Sequence, residues 1–211
     1  MRGTSVAVVL SILMAAGLAQ ASPLNLFERP PDIYSDYIQV SYTSASHSFS
    51  ALGQAFTFDI DGLPPPDYDI VDAGDNPGGL FDIEAKIDNS GNPISGTLTV
   101  DGYIPDLLGS HGTGTLLTGT LSRFGFPNAG GDPLEFIFTT TGGDLSSYLP
   151  QADVILNYSG YDGTFHQDFS NYGMGEADAF VPEPATLTCL SFGATFLIGF
   201  ARKRARQGRK S

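Results

Sequence analysis

The sequence predicts an all-β fold: an antiparallel β-sandwich, with the jelly roll as one arrangement of it, flanked by an N-terminal signal peptide and a C-terminal transmembrane helix. Three observations lead there. Apolar and polar residues alternate in successive runs between Ile38 and Phe169, the period of a strand with one dry face. Glycine and proline punctuate those runs at Pro64-Pro65-Pro66, Gly78-Gly79, Gly130-Gly131 and Gly142-Gly143. The long unbroken apolar runs, Val6–Leu18 and Thr186–Ala201, lie outside the alternating region, one at each end.

Met1-Arg2-Gly3 supplies a small positive start, Val6–Leu18 an apolar run of 13 residues, and Ala19-Gln20-Ala21 a small-x-small cleavage site. Residues 1–21 therefore read as a secretory signal peptide that signal peptidase removes, leaving Ser22 at the new N-terminus. No cysteine follows the apolar run, which argues against a lipoprotein. Cys189 is the single cysteine and lies in the C-terminal apolar segment, so residues 22–180, the expected exported domain, hold no disulfide. About 160 residues can bury a sufficient core without one.

Within that domain, Ser22–Asp36 reads as an irregular arm. Ile38, Val40 and Tyr42 alternate with polar residues, as do Phe56, Phe58 and Ile60. The proline-containing stretch from Asp61 to Gly79 reads as a long acidic loop. Phe81 to Ile87 has an apolar side chain at every second position, Asp88-Asn89-Ser90-Gly91-Asn92-Pro93 breaks the run, and Ile94 to Val100 resumes it, which is the pattern of an antiparallel hairpin. Further strands are expected at 113–124, 134–140, 154–158 and 163–169, all rich in Thr, Phe, Tyr, Val and Ile. Gly173 to Val181 closes the domain.

Residues 181–211 form three consecutive parts of different physics. Pro182, Glu183 and Pro184 are stiff and extended, because each proline fixes φ, removes a donor and constrains its predecessor. Thr186–Ala201 is an apolar run of 16 residues, and residues 202–211 form a tail carrying six of the ten Lys and Arg residues. As a helix the apolar run spans roughly 24 Å, short for a bilayer core of about 30 Å but usable if the arginines snorkel. Arg202, Lys203, Arg204 and Arg206 would stop transfer and hold that end in the cytoplasm, giving an N-out, C-in, single-pass inner-membrane precursor. This order resembles the PEP-CTERM sorting signal of exported bacterial proteins. The resemblance implies recognition and cleavage near Pro182-Glu183-Pro184 by an exosortase-type enzyme, and delivery to the envelope or to an exopolysaccharide matrix. It covers about 30 residues and concerns the address, leaving the activity of the domain open.

The formal charge of −13 conceals an asymmetry. Residues 22–181 hold 22 of the 23 acidic residues and three of the ten basic ones, Arg29, Lys86 and Arg123, a balance of −19. Such a surface repels nucleic acid and anionic lipid and favours divalent cations or neutral partners. Asp67, Asp69, Asp72 and Asp75 crowd one loop and could hold Ca²⁺ weakly, although their spacing departs from the EF-hand pattern; no other cofactor is implied. Catalytic signatures are scarce. His47, His111 and His166 stand apart, Gly109-Ser110-His111-Gly112 is no nucleophile elbow, and no zinc or phosphate-loop motif occurs. Tyr148, Tyr158, Tyr161 and Tyr172, near Gly- and Asp-rich turns, could stack on sugars or could simply plug the ends of the fold. The reading is a non-catalytic surface or matrix protein, structural or adhesive. The alternative is a secreted polysaccharide-active hydrolase.

Overall fold

A computed structural model describes residues 22–66, 68–108 and 114–181. Ten strands and one short helix follow in chain order: β1 Asp32–Thr43, β2 Ser48–Asp59, β3 Tyr68–Asp69, β4 Gly79–Ile87, β5 Pro93–Asp101, α1 Pro105–Leu108, β6 Thr115–Gly125, β7 Leu134–Gly142, β8 Gln151–Asn157, β9 Phe169–Ser170 and β10 Gly175–Phe180. Each long strand pairs antiparallel with the next long strand, and β10 returns to pair with β1 through Ile33–Ala179 and Ser35–Ala177. Because β1 also pairs with β2, the sheet closes on itself as an eight-stranded up-and-down barrel. The short β3 and β9 are additions, on β2 and β1 respectively.

The closed barrel overturns the expected β-sandwich. Period-two alternation reports that each strand has one dry face; stacking two sheets or curling one sheet closed satisfies it equally. The deciding contact is β10, a strand whose inward residues at 177 and 179 are only alanines. The hairpin over Phe81–Val100 is present, with Phe81 opposite Val100 and Ile83 opposite Leu98. Its turn is held by Asp88, whose Oδ1 accepts from the amides of Ser90 and Asn92 at 2.8 Å each. The expected strand over 163–169 survives only as β9. Its alternating Phe165 and Phe169 turn inward instead and pack on Tyr161, with ring centroids 4.9–5.7 Å apart.

A barrel of eight strands is just wide enough for its own side chains. Here Phe49, Phe81, Phe136 and Phe138 fill the middle. Tyr161, Phe165 and Phe169 plug the end that carries the β1–β2 and β4–β5 turns, called here the turn end. Ile104, Leu145 and Leu149 plug the other, the loop end. Edge-to-face ring pairs link Tyr42, Phe124 and Phe126 to Phe165 in one aromatic cluster.

No helix among the described residues is long and apolar enough to cross a membrane. The expected transmembrane helix and single-pass inner-membrane precursor are therefore not retained. The run over 186–201 on which they were placed lies outside the described residues. Pro182, Glu183, Pro184, Arg202, Lys203, Arg204 and Arg206 lie outside them as well.

Candidate functional site

The arm preceding β1 lies on the outside of the barrel. Outward residues of β7 should be wet, yet Glu135 is 3 % exposed because the arm covers it. One carboxylate oxygen of Glu135 accepts from the amides of Leu24 at 2.5 Å and Asn25 at 3.2 Å, and the other from that of Leu26 at 2.7 Å. Three backbone donors converging on one carboxylate offset the cost of burying its charge. Gly125 lets the arm approach: a Cβ there would lie 2.8 Å from the Ser22 carbonyl oxygen and 2.9 Å from the Leu24 nitrogen. Asp153 on β8 is buried too; desolvation raises its pKa, against the hydrogen bond that it accepts from Gln151 at 2.8 Å.

Further along, the arm brings Glu28 against Asp32 of β1 and Asp178 of β10. Their nearest carboxylate oxygens all lie within 4.8 Å of one another. Burial, then the charges of Glu28, Asp32 and Glu176, push the Asp178 carboxyl up to about 7. Burial, with Glu28 and Asp59, pushes Asp32 up to about 6. The β1–β10 register creates this convergence by placing the first residues of one strand beside the last of the other. Chemically the trio can share protons, or offer hard oxygens to a cation.

The acidic loop is arranged differently. Asp72 closes its own turn: Oδ1 accepts from the amides of Gly74 at 2.7 Å and Asn76 at 2.9 Å, and Oδ2 from the Asn76 side chain at 3.0 Å. These bonds, those from Asn76 foremost, hold its carboxyl below the ordinary range. Asp75 sits at the turn tip with φ of 60°, and Asp69 belongs to β3 opposite Thr57. Among the described residues, Asp69, Asp72 and Asp75 do not converge as the Glu28 trio does; Asp67 lies outside them. Beside this loop a cavity of about 360 Å³ opens at the loop end, lined by Asp72, Leu80, Asp101 and Tyr103. One buried oxygen of Asp101 has no hydrogen-bond partner there.

Of the other candidates, His47 occupies the β1–β2 turn, where its carbonyl accepts from Ile87 at 2.9 Å. His166 is exposed at the turn end, and His111 lies outside the described residues. The tyrosines divide. Tyr161 is a core residue, its hydroxyl pushed up to about 12 by burial. Tyr148 packs edge-on against Phe58 at the loop end. Tyr158 and Tyr172 are exposed at the turn end. Sequence reasoning missed Glu135, Asp32 and Asp178, which have no local motif, and also missed the exposed Tyr37. No family model, curated protein or solved structure matches this chain.

Proposed function

We propose that this chain is a non-catalytic protein of the cell surface or its surrounding matrix, with a structural or adhesive role. The observation that carries this reading is the filled barrel. Aromatic and aliphatic side chains occupy the interior and plug both ends, so recognition falls to the outer wall and the rims. The acidic surface, 22 acidic residues against three basic ones over residues 22–181, suits neutral partners such as an uncharged exopolysaccharide, not nucleic acid. Delivery would follow the likeness to the PEP-CTERM signal, with signal peptidase and an exosortase-type enzyme as processing partners.

One observation favours hydrolysis instead. Asp178, protonated to about pH 7 beside Asp32, resembles the acid of a carboxylate pair. Against it, neither the loop-end cavity nor the groove of about 530 Å³ on the wall of β2, β4 and β5 is lined by either residue. Incubating the full chain with a panel of neutral and acidic polysaccharides and assaying released reducing ends separates the two. The proposal expects none; turnover that disappears in Asp178→Asn contradicts it.

A further inference from the structure

Three exposed tyrosines share an uncommon backbone. Tyr37, Tyr158 and Tyr172 have φ of 53°, 54° and 60°, the left-handed region that bulky residues avoid. They are 66, 57 and 92 % exposed. Backbone strain of this kind persists only where the surroundings enforce it, and it gathers at functional sites.

The enforcing element is Asn171, itself 8 % exposed. Its backbone amide still donates to the Val40 carbonyl of β1 at 3.3 Å; beyond it the chain leaves β1, and the Asn171 side chain takes the place of the missing strand. Its Oδ1 accepts from the Val40 amide at 2.7 Å and its Nδ2 donates to the Ile38 carbonyl at 2.8 Å. The same Nδ2 donates to the Tyr158 carbonyl at 2.8 Å, and Oδ1 also accepts from the Gly173 amide at 3.0 Å. One amide thus keeps the barrel sealed while the side chains of Tyr172 and Met174 are extruded into solvent. Tyr37 projects from a bulge in β1 immediately before Ile38, where register is lost against both β2 and β10. Glycines make room for that bulge on either side. A Cβ at Gly53 would lie 2.8 Å from the Ile38 Cα, and one at Gly175 would lie 2.8 Å from the Ile38 carbonyl oxygen. The Phe56 ring props the Tyr37 ring edge-on at 5.9 Å.

We infer that Tyr37, Tyr158 and Tyr172 form a binding platform for a neutral polysaccharide. This rests on the surface role proposed above and names the partner of one face. Flat rings with polar rims stack on the apolar faces of sugars, and ring and hydroxyl together serve a polyhydroxylated chain. With Met174 the four side chains expose roughly 550 Å² at about 200 Å² each, below the ~800 Å² per partner of a standard protein interface. Asp36, whose Oδ1 accepts the Tyr37 amide at 2.7 Å, and Glu176 next to Gly175 place carboxylates beside the platform. They accept hydroxyl protons and repel anionic glycans.

Affinity electrophoresis of the full chain through native gels containing hydroxyethyl cellulose, carboxymethyl cellulose, dextran or galactomannan tests this. Glycine accepts the left-handed backbone without strain, so Tyr172→Gly and Tyr158→Gly remove the rings and retain the fold, as melting curves would verify. Retardation by at least one neutral polymer is expected, reduced five-fold or more in each glycine variant and unchanged in Tyr148→Phe at the opposite end. No retardation by any neutral polymer, stronger retardation by carboxymethyl cellulose, or retardation that ignores both glycine variants overturns the platform. So does a dimer, seen by size exclusion, that these variants dissolve, since the occupant would then be a second copy. Released reducing ends would instead defeat the non-catalytic reading, so the two failures are distinguishable.

Discussion

Asp178 and Asp32 carry the clearest consequence at the scale of single residues. Both carboxyls are raised above 3.8, to about 7 and about 6, so the folded chain holds protons that the unfolded chain has already released. Stability then falls as pH rises from about 4 through about 7, and flattens above that. Melting temperature should therefore be higher at pH 5 than at pH 8. Asp178→Asn removes a buried charge and its repulsion by Glu28 and Asp32, and should stabilise the fold at pH 8 by about 2 kcal/mol, discounted for partial solvent screening, while shrinking the difference between the two pH values. A midpoint independent of pH, or a variant less stable at pH 8, would contradict this account of the trio. None of it is legible in the sequence. Asp32 and Asp178 stand at opposite ends of the domain, and only the pairing of β1 with β10 joins them.

The arm and the turns show what local pattern can and cannot specify at the scale of elements. The β4–β5 hairpin was readable because both strands alternate cleanly and Asp88 begins a turn-forming run. Residues 163–169 alternate just as well, yet Phe165 and Phe169 serve as a plug: the same period fits any segment that buries every second ring. The stretch Ser22–Asp36 reads as an irregular arm, but residues 32–36 belong to β1, and the attachment of the remaining arm depends on Glu135, more than a hundred residues away in sequence. Glu135→Ala should release it. The loss of three charge-assisted hydrogen bonds should cost about 2–3 kcal/mol, and the Leu24 and Leu26 amides should lose protection from hydrogen exchange while those of β4 and β5 keep theirs. Unchanged protection at Leu24 and Leu26 would mean that the arm is held by something other than this carboxylate.

Closure is the property that governs the whole molecule. A closed barrel has no free edge to pair with other chains, and its filled interior leaves only the rim and the wall open to a partner. The dry faces of most strands were legible from alternation alone. The choice between barrel and sandwich was not, because β10 has six residues and only small alanines at its inward positions 177 and 179. Candidate tyrosines were likewise half legible. Tyr158 and Tyr172 stood out beside Gly- and Asp-rich turns, whereas Tyr37 acquires its exposure from a bulge that no residue pattern announces.

Nuclear Overhauser contacts across β1 provide the most direct test of closure. The structure requires Ile33 to show backbone contacts both to Phe58 of β2 and to Ala179 of β10 in the same folded population. Contacts to β2 alone, with none between β1 and β10, would contradict the barrel and return the fold to two stacked sheets.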